Sequence, residues 1–150
     1  MIVIAVSGYS NSGKTTLVEM LIKEFLSMGF KVLAVKHGKK FDVEGKDSWR
    51  MWNAGAEVAM IGEEFTALML RRELSLDELG KIVKADIVIV EGFKSKNLRK
   101  IVIGNVPCEG EVIERLNERD VVEGRVDVKE LVRKILDIRK VNISNHSLEE

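Results

Sequence analysis

Near the amino terminus, the run Gly8-Tyr9-Ser10-Asn11-Ser12-Gly13-Lys14-Thr15 restricts this chain to a narrow set of folds. It fits the spacing Gly-x-x-x-x-Gly-Lys-Ser/Thr, and both of its flanks fit as well. Ahead of it, Ile2-Val3-Ile4-Ala5-Val6 is short, apolar and β-branched, as a buried strand is. Behind it, Leu17, Met20, Leu21 and Phe25 recur at helical spacing. Strand, glycine-rich turn and helix start together make an anion cradle. Glycines let the backbone curl, successive N–H groups converge on phosphate oxygens, and the helix N-terminus adds partial positive charge. In that arrangement Gly8, Ser10, Asn11, Ser12, Gly13, Lys14, Thr15 and Thr16 line the phosphates of a nucleotide. Lys14 reaches the β- and γ-phosphates and the Thr15 hydroxyl ligates Mg²⁺.

The remaining apolar runs alternate with helical patterns. Strands are expected at 2–7, 31–36, 57–61, 66–71, 86–91 and 100–103, and helices at 14–28, about 47–54, 75–84 and 127–139. This order predicts an α/β chain with the three-layer P-loop NTPase fold, a mostly parallel sheet with helices on both faces. Residues 57–71 differ: short strands around Gly62-Glu63-Glu64 predict a hairpin at one sheet edge. Ser75 and Glu78 have capping-box spacing, and Gly29 is placed to stop the first helix. The length of 150 residues fits one nucleotide-binding domain over 1–150, with 140–150 as a frayed polar tail.

Composition narrows the partners. Lys and Arg total 24 and Asp and Glu total 24, so bulk charge gives no reason to expect nucleic acid or an acidic membrane surface. No apolar run approaches the ~20 residues that span a bilayer. The first apolar run has no basic leader, so the expectation is a soluble, cytoplasmic protein. Cys108 is the single cysteine, which excludes an internal disulfide and a multi-cysteine metal cage.

Asp86-Ile-Val-Ile-Val-Glu91-Gly92 is the second chemical signal, a hydrophobic strand ending in a carboxylate. Such a residue, beside Mg²⁺ held by Thr15, orients the metal's waters or a nucleophile. Asp86 opens the same strand at its far end, where a structural role is expected. Lys36-His37 ends the second strand, and Lys46-Asp47-Ser48 opens a short helix after a polar loop. Strand ends in an open parallel sheet face the ligand crevice. Lys36 and His37 are therefore phosphate-contact candidates, with ordinary solvated side chains as the alternative. Asp47 is a candidate to hold a metal-bound water or polarise an attacking water, and capping the helix from Ser48 is its alternative, compatible role. The catalytic candidates are thus Asp47 and Glu91, and the metal candidates are Thr15, Asp47 and Glu91. Trp49 and Trp52 are read as packing residues in preference to base stacking, and Arg71-Arg72 as an exposed strand-end pair in preference to a phosphate-directed arginine. No Asn-Lys-x-Asp segment is present, so the residues alone leave the base undetermined.

Three segments taken together resemble the MobB family of molybdopterin-guanine dinucleotide biosynthesis proteins. They are Gly8 to Leu17; Lys36-His37 with Asp42, Gly45-Lys46-Asp47-Ser48, Arg50 and Ala54-Gly55-Ala56; and Asp86 to Glu91-Gly92-Phe93-Lys94. The resemblance covers residues 1 to about 103. It implies a GTP- and Mg²⁺-binding protein, often a homodimer, that hydrolyses GTP slowly. Its implied role is to assist a MobA-like nucleotidyltransferase in attaching GMP to molybdopterin, so that the pterin is met only indirectly. Family members commonly carry further histidines after the Lys-His pair, whereas Gly38-Lys39-Lys40 stands here. Two other classes share the phosphate loop: a small-molecule kinase, which needs an acceptor pocket and an arginine-bearing lid, and a metallocentre-insertion GTPase, which needs a histidine- or cysteine-rich site. An adaptor that uses GTP only to set its shape also fits every residue named.

Overall fold

The computed structural model of the chain describes residues 1–38, 46–92 and 96–146, with side chains as far as residue 138. Its elements run β1 (Ile2–Ser7), α1 (Lys14–Ser27), β2 (Val32–Lys36), α2 (Asp47–Asn53), β3 (Val58–Ile61), β4 (Thr66–Met69), α3 (Leu76–Val83), β5 (Ile87–Glu91), β6 (Lys100–Ile103), β7 (Val112–Leu116), α4 (Glu118–Val122) and α5 (Val128–His146). They divide into two compact units, Met1–His37 with Leu79–Glu150, and Gly38–Glu78.

In the first unit the described strands form a five-stranded sheet in the order β2-β5-β1-β6-β7. Every ladder in it is parallel. The central strands β1 and β5 are continuous apolar runs because both of their faces are covered. On one face Ile2, Ile4, Val6, Ile87, Ile89, Ile101 and Ile103 meet Leu17, Leu21 and Phe25 of α1 and Leu131, Val132 and Ile135 of α5. Each such side chain contributes roughly 1.5–3 kcal/mol when fully buried. On the other face Val88 lies beneath α3, where Gly80 makes room for the Met1 side chain.

Helix ends follow local chemistry. Gly29, at φ 86°, closes α1: its N–H donates to the Leu26 carbonyl at 3.0 Å, and the Phe30 N–H donates to the Phe25 carbonyl at 3.1 Å. This is the Schellman pattern, completed by an edge-to-face contact of the Phe25 and Phe30 rings at 6.0 Å. Asp127 starts α5 by accepting the Glu130 N–H at 3.1 Å. That helix runs on to His146, past the end expected at 139. Its polar sequence contains no glycine or proline to stop it.

Two elements depart from the sequence expectation. The hairpin forms, with Val58 opposite Met69 and Ile61 opposite Thr66, but among the described residues it pairs with no strand of the large sheet. The edge expected of it belongs to β7, whose Val-Ile-Glu-Arg-Leu sequence is too short and charged to read as a strand. Charged residues of this kind are how exposed edges resist further pairing. Asp86 has the structural role expected of it: its carboxylate accepts the Lys31 N–H at 2.8 Å and joins the starts of β2 and β5.

Lys100 opens β6 and is fully buried. Its ammonium donates to the carbonyls of Lys96, of Leu98 at 3.3 Å and of Glu109 at 2.5 Å. Burial pushes its pKa below the ordinary lysine value, while Cys108 and Glu109 oppose the shift. The lysine ties the segment before β6 to the one after it.

In the second unit Arg71 stacks on Trp52, its guanidinium carbon 4.0 Å from the ring centre, and donates to the Gly55 carbonyl at 3.2 Å and to the Trp52 carbonyl. Arg71 therefore fastens the end of α2 to the hairpin. The Ser75–Glu78 capping box is formed in both directions, at 2.8 and 3.1 Å.

Candidate functional site

The site is built where β1 ends. Ser7 is buried, and its hydroxyl donates to the Gly92 carbonyl at 3.3 Å, which ties the end of β1 to the residue after β5. The chain then turns through Asn11 at φ 61° and Gly13 at φ 94° before entering α1. Left-handed residues among right-handed ones aim consecutive N–H groups toward one side, which makes an anion nest. The glycines are sterically required. A Cβ at Gly8 would lie 2.5 Å from the Ser12 hydroxyl, and one at Gly13 would lie 2.8 Å from a Val121 methyl of α4. Helix α1 has no side-chain cap and no acidic residue in its first turn, so its leading N–H groups remain available to an anion. Inside the loop the Ser12 hydroxyl is buried with no hydrogen-bond partner among the described residues.

Lys14 curls back over the loop, its ammonium donating to the carbonyls of Gly8 at 3.1 Å and Tyr9 at 2.7 Å. The Thr15 hydroxyl donates to both carboxylate oxygens of Glu91, at 3.2 and 3.3 Å. Glu91 is placed by register, opposite Val6 on one side and Lys36 on the other. Its carbonyl accepts the His37 N–H at 3.1 Å. Ser10, Asn11, Gly13, Lys14, Thr15, Thr16 and Glu91 surround one cleft of about 560 Å³, joined by Val122 of α4. A hydroxyl and a carboxylate in contact at a solvent-accessible cleft are hard oxygen donors of the kind Mg²⁺ takes, and a phosphate nest adjoins them. The residues present thus fit both the metal and the phosphates.

The structure brings together most of the predicted residues. Lys36 and His37 stand at the end of β2 beside Glu91, with exposed side chains. Asp47 belongs to the second unit. It is the first residue of α2, whose cap position is taken by Lys46, so the expected capping role of Asp47 is corrected. Its side chain is 90% exposed and lies 4.0 Å from Arg50. Lys39, Lys40, Asp42, Gly45, Phe93 and Lys94 lie outside the described residues. Arg115 donates to the Gly104 carbonyl at 2.6 Å, and Arg119 pairs with Glu123 at 2.9 Å. Among the described residues no group of three or more His, Cys, Asp or Glu gathers as metal ligands, and no helix is long and apolar enough to cross a membrane.

Sequence reasoning missed α4 and what it does to the site. Val121 packs on Gly13, and Val122 forms part of the cleft wall. The signal was present in Asn117, whose side-chain oxygen accepts the Arg119 N–H at 2.9 Å as an N-cap.

The family model for molybdopterin guanine dinucleotide synthesis protein B, MobB, matches residues 3–123. This chain belongs to the MobB family. Curated MobB relatives include the molybdopterin-guanine dinucleotide biosynthesis adapter protein of Haemophilus influenzae, 40% identical over 109 residues, a match spanning 67% of this chain and 61% of the relative. A putative adapter protein of the same description from Methanocaldococcus jannaschii is 34% identical over 113 residues, spanning 69% of this chain and 47% of the relative. The match therefore spans less than two thirds of these relatives' lengths. Among solved structures, the crystal structure of a molybdopterin-guanine biosynthesis protein B superposes with a TM-score of 0.66 at 24% identity, covering 91% of this chain and 98% of that one. The MobB homolog from Bacillus stearothermophilus superposes with a TM-score of 0.61 at 26% identity, covering 91% of this chain and 99% of the homolog. The MobB fold, with its parallel sheet flanked by helices and its small antiparallel hairpin, is the fold of this chain.

Proposed function

We propose that this protein is a GTP-binding accessory in molybdopterin-guanine dinucleotide biosynthesis. In that role it assists a MobA-like nucleotidyltransferase that attaches GMP to molybdopterin, and it works as a homodimer. The single observation that carries the nucleotide part is the contact of Thr15 with Glu91 beside the phosphate nest. Family membership and the adapter role named for the relatives support the pathway part.

The loop N–H groups and Lys14 would hold the phosphates, and Thr15 would take Mg²⁺ with Glu91 orienting the metal's waters. When bound, Mg²⁺ supplies charge neutralisation across the β- and γ-phosphates. Among the described residues no arginine lines the phosphate cleft. A phosphate-loop site lacking an inserted arginine turns over at only about 10⁻⁴ per second. Slow hydrolysis suits an adapter whose GTP sets its shape. A kinase reading would require Arg115 or Arg119 as lid residues, and both are engaged elsewhere.

The test is calorimetry with GTP, with and without Mg²⁺. Lys14→Ala should abolish measurable binding. Glu91→Ala should retain GTP binding but lose the Mg²⁺ dependence and the hydrolysis. Unchanged GTP affinity in Lys14→Ala would sink the assignment.

A further inference from the structure

A second cleft of about 870 Å³ adjoins the phosphate site on the far side of β1. Tyr9 of the phosphate loop, Asn105 after β6, and Leu116, Asn117, Glu118 and Val122 around α4 form its walls. Val122 also lines the phosphate cleft, so the two hollows share a wall. This apolar side chain is 64% exposed, which a ligand lying across it would relieve.

The sheet order orients such a ligand. Thr15 and Glu91 mark the metal and terminal-phosphate end, on the β5 side of β1. The larger cleft opens over the carboxyl ends of β6 and β7, on the opposite side. In an open parallel sheet the ligand crevice follows those carboxyl ends. A nucleotide with its last phosphate at Glu91 therefore extends its base into the larger cleft, past Tyr9 and Val122.

Glu118 is the residue that can read that base. Around it Arg119, Asp120, Glu123 and Arg125 are joined in ion pairs, and Glu118 takes part in none of them. Its carboxylate lies over Gly104, where a Cβ would fall 2.7 Å from one carboxylate oxygen. Gly104 is held at φ 77° by its N–H to the Leu116 carbonyl at 2.8 Å and by Arg115 on its own carbonyl. An ionised carboxylate only accepts hydrogen bonds. It therefore pairs with a base edge offering adjacent donors, as guanine does at N1–H and N2–H. Adenine offers a lone pair at N1 beside its N6 amino group, with no donor at C2, and is repelled.

We propose that the cleft between β6, β7 and α4 is the nucleobase site, and that Glu118 selects guanine there. The proposal rests on the nucleotide reading of the phosphate loop and adds the residue that sets base identity.

The test compares GTP, ATP, xanthosine triphosphate and inorganic tripolyphosphate by calorimetry, in wild type, Glu118→Ala and Glu118→Gln. In Glu118→Ala, GTP affinity should fall about tenfold or more relative to tripolyphosphate, and the preference over ATP should collapse. In Glu118→Gln, an amide donor replaces one acceptor, so xanthosine triphosphate, with a carbonyl at C2, should gain on GTP. If wild type binds GTP and tripolyphosphate but neither variant alters the ratios among the four ligands, the base assignment alone is overturned. If wild type binds none of the four, the phosphate-loop reading falls, and the base assignment with it.

Discussion

Lys100 shows how much a single side chain can organise when it is taken out of water. A buried ammonium is held by the carbonyls of Lys96, Leu98 and Glu109, so hydrogen bonds replace its hydration. Lys100→Met keeps the volume and leaves those carbonyls unpaired, each costing ~1–3 kcal/mol. A loss of about 3 kcal/mol or more is expected in urea denaturation; a loss below about 1 kcal/mol would show that water replaces the ammonium at no net cost. Nothing in the sequence around Lys100 distinguishes it from a solvated lysine at a strand start, because its partners come from segments on either side of β6. Thr15 and Glu91 were legible for the opposite reason. The loop spacing fixes one, a strand-end carboxylate marks the other, and the register of β1 with β5 brings them together. Asp47 was legible as a candidate and as the start of the helix expected at about 47–54, but the cap falls one position earlier, at Lys46.

At the scale of elements, the best-read pieces carry their own punctuation. Gly29 ends α1, and Ser75 with Glu78 begins α3, through contacts spanning a few residues. The poorly read pieces, β7 and α4, have no such local signature beyond Asn117, and their places are set by β6 and by the phosphate loop. The α3 cap makes a pH prediction. The Ser75 N–H first, then the Ser75 hydroxyl, with Arg72 assisting, hold the Glu78 carboxyl below its ordinary pKa. A carboxyl lowered in the folded state adds stability that is present above its unfolded pKa and is lost as pH falls through the folded one. Glu78→Gln should therefore be less stable than wild type at about pH 7, and the gap should close by about pH 3. Denaturant midpoints at the two pH values check this; a gap independent of pH would show that the charge on the carboxylate is not what stabilises the cap.

For the whole molecule, alternation of strands and helices was enough to predict a parallel sheet covered on both faces. The separate pairing of the hairpin was not predictable, because two short strands carry no mark of which sheet they join. A ligand that binds only the folded state stabilises it by mass action. GTP with Mg²⁺ at a hundredfold excess over its dissociation constant should therefore add about 2.7 kcal/mol. Differential scanning calorimetry should show a rise in Tm of several degrees for wild type and none for Lys14→Ala; an equal rise in both would place the nucleotide elsewhere. The same molecule carries another cation that no solution exchange can remove. Among its carbonyls, Lys100 takes the place an alkali-metal ion holds in other proteins, but it is bonded to the chain it braces. The junction around β6 thus has its counter-ion built in at synthesis, and its closure owes nothing to whether the surrounding medium is rich in sodium or potassium.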